Sequence, residues 1–137
     1  MGELTMPALR ATGVFRAADG SRLTVRRTSW WGGRHELREK ETVLAKAQPR
    51  GFWRREIVIR FDTQKYVLRP AAFWSRSWHL DGAGGIRLLE IRPRGVFRRG
   101  AHVKVMAPVD VELLVFAYHL VYTRWQEEAA AASAAAS

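Results

Sequence analysis

The residues with the most evident chemistry are six arginines in two matched strings. Arg50, Arg54 and Arg55 sit in and after Pro49-Arg50-Gly51, and Arg94, Arg98 and Arg99 sit in and after Pro93-Arg94-Gly95. Guanidinium forks suit phosphate oxygens, so these six residues are the candidate anionic-ligand site. The competing reading is a solvated hairpin carried along by duplication. The other reactive types are scattered. His35, His79, His102 and His119 lack metal-ligand spacing with one another or with carboxylates. His35 and His79 occupy equivalent positions 44 residues apart, which favours a shared structural role. His119 and Glu112, on one face of a predicted helix, form a candidate buried hydrogen-bonded pair.

Several chemistries are not expected. Without cysteine there is no disulfide, zinc-thiolate site or thiol nucleophile. Gly82-Ala83-Gly84-Gly85 lacks a following helix and a Lys-Ser/Thr pair, so it reads as a turn and not a phosphate loop. Asp19, Asp62 and Asp81 stand nearly alone, whereas Ca²⁺ wants several oxygen ligands together. No Ser/His/Asp set can be assembled. The expectation is a non-enzymatic protein with no metal and no cofactor.

The tryptophans at 30, 31, 53, 74, 78 and 125 could stack on bases or anchor at a membrane interface. In strands of alternating pattern they more often pack in the core. Trp53 and Trp31 are the expected exposed exceptions.

These residues must be positioned by short strands. Leu23 and Val25, then Ile57, Ile59 and Phe61, then Tyr66 and Leu68, then Val103 and Val105 alternate with neighbours suited to an opposite, outer face. Asp-Gly, Gly-Gly and Pro-Arg-Gly punctuate them. About ten strands are expected. At a shift of 44 residues Trp30 meets Trp74, Leu44 meets Leu88, and each Pro-Arg-Gly string meets the other. A period in this range marks a supersecondary unit used more than once, here about residues 22–61 and 66–105. Val109 to about Glu128 reads as a helix apolar almost all round, hence buried on all sides. Residues 129–137 are an Ala/Ser tail able to prolong it. The expectation is one domain over residues 1–128, mainly β with one C-terminal helix.

Charge narrows the partners. The chain has 137 residues and a net charge of +10, and residues 22–105 hold 20 Lys/Arg against 7 Asp/Glu. Such a surface favours polyanions, either anionic phospholipid or nucleic acid. Residues 1–10 do not read as a signal peptide. Val109–Trp125 is too short and too polar at its ends to span a bilayer. A cytoplasmic protein, peripheral at the membrane if lipid is the partner, is therefore expected.

Three segments, Phe73-Trp74-Ser75-Arg76-Ser77-Trp78-His79-Leu80-Asp81, Glu90-Ile91-Arg92-Pro93-Arg94-Gly95-Val96-Phe97-Arg98-Arg99 and Leu113-Leu114-Val115-Phe116, resemble the tubby C-terminal, LURP-one-related and phospholipid scramblase superfamily. The resemblance covers about residues 12–125. It implies a closed antiparallel barrel of about a dozen strands around a central hydrophobic helix. It also implies, as in tubby-type domains, phosphoinositide binding through basic surface residues.

Overall fold

A computed structural model describes residues 2–6, 13–16, 22–28, 34–50, 56–72, 76–93 and 101–136. Ten strands form one antiparallel sheet: β1 (Gly2–Met6), β2 (Gly13–Arg16), β3 (Arg22–Arg27), β4 (His35–Glu39), β5 (Thr42–Arg50), β6 (Glu56–Phe61), β7 (Gln64–Pro70), β8 (Trp78–Asp81), β9 (Arg87–Pro93) and β10 (Ala101–Val105). Each strand from β2 to β9 pairs with the next in sequence, and β1 pairs with β10. The ladder therefore ends at β1 and β2, and among the described residues no pairing joins those two strands.

Period-two alternation decides the faces. Leu23, Val25, Leu37, Ala45, Ala47, Ile57, Ile59, Leu68, Leu80, Leu89, Ile91 and Val103 are all buried. They form one cluster with α1 (Val111–Ala136), the single α-helix among the described residues. Every residue from Leu113 to Val121 is buried. Nine consecutive buried positions turn through more than two full turns at 3.6 residues each, so the helix is covered around its circumference and the sheet must curve about it. Burial stops after Trp125, and residues 126–135 are exposed. The helix starts two residues later than Val109 and runs on through the Ala/Ser stretch, as the propensity of alanine allows.

Pairing registers recur along the chain. Ala47 faces Ile59 across β5 and β6, and Ile91 faces Val103 across β9 and β10, 44 residues on at both ends. The bulge after Leu37 in β4 recurs after Leu80 in β8. The two histidines, however, do not coincide. His35 faces Ala47, whereas Trp78, not His79, faces Ile91. The connection from β8 to β9 is one residue longer in register than that from β4 to β5, and a one-residue slip exchanges the faces of a strand.

Pro49 and Pro93 are strand residues, not turn residues. Each lies two positions beyond the last pair with the preceding strand, Ala47 with His35 and Ile91 with Trp78. No ladder bond on that side is lost to the missing N–H.

A basic groove on the outer face

The residues that alternate with the core face outward, and between β4 and β7 they supply most of the lining of a groove. Thr28, Arg34, Glu36, Lys46, Gln48, Arg50, Val58, Arg60 and Lys65 border about 640 Å³, together with His35 and Ala47, which pair with each other in core-side register. The ladder explains the juxtaposition. Lys46 faces Arg60 across β5 and β6, and Arg60 faces Lys65 across β6 and β7. Adjacent strands are about 4.8 Å apart, so three cations stand in one row spanning roughly 10 Å. Glu36 continues that row on β4, opposite Lys46. Its carboxylate is already engaged, with Arg26 at 3.5 Å and Arg38 at 3.5 Å. Among the described residues, Lys46, Arg60 and Lys65 have no carboxylate within ion-pair distance. Like charges directly opposite one another in a sheet are unfavourable, so this row is under mutual repulsion.

A second outer-face cluster, from β5 to β9, is compensated internally. Glu56 reaches Arg50 at 3.4 Å and Arg69 at 3.6 Å. Asp81 lies 3.6 Å from Arg69, 4.0 Å from Arg87 and 3.1 Å from Nδ1 of His79. Glu90 binds Arg87 at 3.3 Å. This network joins five strands and leaves its cations partnered.

His35 is part of the groove lining, yet its ring also lies 6.5 Å from that of His119 on α1. His119 is buried, and its pKa is lowered to about 4, first by burial and then by the neighbouring His35. Glu112, the partner expected for His119, lies nearly two turns earlier on the helix. It lines a cavity of about 550 Å³ with Glu39, Asp62, Asp110 and the apolar Val43, Leu44 and Phe61. The two are separated because seven residues of helix advance about 10 Å. Tyr66, near this end of the molecule, has its phenol pKa raised by burial, then by Asp110 and Asp62.

Of the six arginines singled out in the sequence, Arg50 is at the groove rim. Arg54, Arg55, Arg94, Arg98 and Arg99 lie outside the described residues, as do Trp30, Trp31, Trp53 and Trp74. Trp78 and Trp125 are core residues. The Trp125 indole donates to the Arg76 carbonyl at 2.8 Å, and the Arg76 guanidinium lies 5.7 Å from the ring. Lys46, Arg60 and Lys65 carry no local motif and were not anticipated. Their one sequence signal is that Lys46 aligns with Glu90 at the 44-residue shift, a reversal of charge within otherwise matched strings.

Among the described residues no group of three or more His, Asp or Glu is arranged to hold a metal ion. No described helix is long and apolar enough to cross a membrane. No family model, no curated protein and no solved structure matches the chain.

Proposed function

We propose that this chain is a non-enzymatic binding module for a phosphate-bearing anion, and that the anion is the headgroup of phospholipids at a membrane surface. The observation carrying this reading is the row of Lys46, Arg60 and Lys65 on three adjacent strands, unpaired among the described residues and set in a groove. Arg34 and Arg50 flank it, and Arg54, Arg55, Arg94, Arg98 and Arg99 supply further contacts in this reading. The groove suits a compact headgroup better than a nucleic acid strand. Its described lining offers no aromatic ring besides the His35 imidazole, whereas single strands are held largely by stacking on aromatic faces.

A sheet curved about a buried helix also supports membership of the tubby, LURP-one and scramblase superfamily. In that reading the sheet closes between β1 and β2, residues 22–61 and 66–105 are two copies of one four-strand unit, and the protein works on the cytoplasmic side as a peripheral membrane protein.

The test is sedimentation with phosphatidylcholine vesicles, with and without phosphatidylserine, across a salt series. Binding should require the anionic lipid and weaken with salt. Each basic residue near an anionic surface contributes about 1 kcal/mol. The triple variant K46Q/R60Q/K65Q should therefore bind on the order of 100-fold more weakly. Equal binding by parent and triple variant would overturn the groove as the site. Binding to DNA or RNA without binding to vesicles would replace lipid by nucleic acid as the partner.

A further inference from the structure

The outward faces of β4–β6 and β8–β10 are built on matched registers, and they differ in charge. Lys46 faces Arg60 on β5 and β6, and the corresponding pair on β9 and β10 is Glu90 with Lys104. Beside Lys46 on β4 stands Glu36, tied to two arginines; beside Glu90 on β8 stands His79, tied to Asp81. The basic row of the first face extends onto β7 through Lys65. On the second, Asp81 and Glu90 stand among Arg87, Arg92 and Lys104, so carboxylates and cations nearly balance there. Lys46, Arg60 and Lys65 lie within about one Debye length of one another, so a surface of many headgroups meets them as a unit. Outward-facing Val58 lies among them in the groove, in the row of Gln48 and Val67, so apolar surface accompanies the charge.

We infer that the protein lies on an anionic bilayer by one face only, with the outward side of β4–β7 against the lipid and that of β8–β10 turned to solvent. The inference rests on the reading of the groove as a headgroup site and adds the pose. The surplus of cations on the first face over the nearly balanced second face sets the direction, and the curvature of the sheet about α1 keeps the two faces from meeting one flat surface together.

The chain has no cysteine, so single-cysteine labelling reads the pose in the full protein. Gln48 and Arg92 hold matched register positions, opposite Val58 and His102, and both are exposed. The variants Q48C and R92C would each carry an environment-sensitive fluorophore and be mixed with phosphatidylcholine–phosphatidylserine vesicles containing a lipid-tethered quencher. The label of Q48C should be quenched several-fold more than that of R92C. A second pair, T28C at the groove rim and I86C on the exposed β8–β9 connection, should show the same order and guards against disturbance by one label. Equal quenching within both pairs, or the reverse order, overturns the pose. Pelleting of the unlabelled parent in parallel separates the two ideas: if it does not pellet, the headgroup reading fails and takes the pose with it. If it pellets and the labels respond alike, the pose alone fails.

Discussion

Glu36, Lys46 and Arg60 stand in one row across β4, β5 and β6, while His79, Glu90 and Lys104 stand in the corresponding row across β8, β9 and β10. The inner faces behind these rows are both apolar, but bulk changes sides. Ala45 and Ala47 of β5 lie opposite Phe61 and Ile59 of β6, whereas Leu89 and Ile91 of β9 lie opposite Val105 and Val103 of β10. Cores tolerate such redistribution when shape and total volume are kept. Register is set by the buried face, because a slip of one residue would turn it to water. The outer face is under no such constraint and can diverge: in the first row Lys46 and Arg60 have no carboxylate partner among the described residues, whereas in the second His79 is tied to Asp81 and Glu90 to Arg87.

Three measurements would break or sharpen this contrast. The largest effect on stability concerns the interior behind the basic groove. His119 titrates near 4 when folded, against about 6.5 when unfolded. Above about pH 6.5 both states are neutral. Between about pH 6.5 and 4 the unfolded chain binds a proton that the folded chain refuses, so stability falls as pH falls, by at most on the order of 3 kcal/mol. Below 4 this contribution changes no further. Denaturant melts at several pH values should show the decline. In His119→Phe, which keeps a ring without a titrating group, that part of the decline should vanish. A slope unchanged in the variant would assign acid sensitivity to other groups.

Next comes the compensated network. Asp81 meets His79, Arg69 and Arg87 together, and His79 is buried. Asp81→Asn keeps the shape and removes the charge. It should lower stability by about 1–3 kcal/mol, the usual range when a hydrogen bond to a partly buried charged group is lost. Vesicle binding should be retained. Loss of binding along with stability would show that the two regions are not separable.

The smallest effect is in the opposite direction. Lys46→Gln relieves repulsion from Arg60 across the strand pair and should leave stability unchanged or raise it by a few tenths of a kcal/mol. A thermal melt checks this. A clear destabilisation would mean that Lys46 is already paired in the free protein.

Much of the architecture was legible from alternation alone. Leu23 with Val25, and Ile57 with Ile59, declare one buried face each, and Leu113 to Val121 declare a helix with no polar side wide enough to face water. The groove was not legible to the same degree. Lys46, Arg60 and Lys65 are separated by 14 and 5 positions and belong to three strands. Nothing local marks them, whereas the Pro-Arg-Gly strings drew notice because their residues are contiguous. Of those strings Arg50 lines the groove, and the others fall outside the described residues.

Composition and periodicity by themselves determined the β-rich class, the buried helix and the surplus of positive charge, because each depends only on residue type and spacing along the chain. Which charges meet was decided by the tertiary structure. Strand pairing brings Lys46, Arg60 and Lys65 into one row and sends His79 to Asp81 while His35 turns toward His119. Ladder register, which a single added residue between β8 and β9 can alter, selects neighbours across strands, and electrostatic energy depends on those neighbours and on distance.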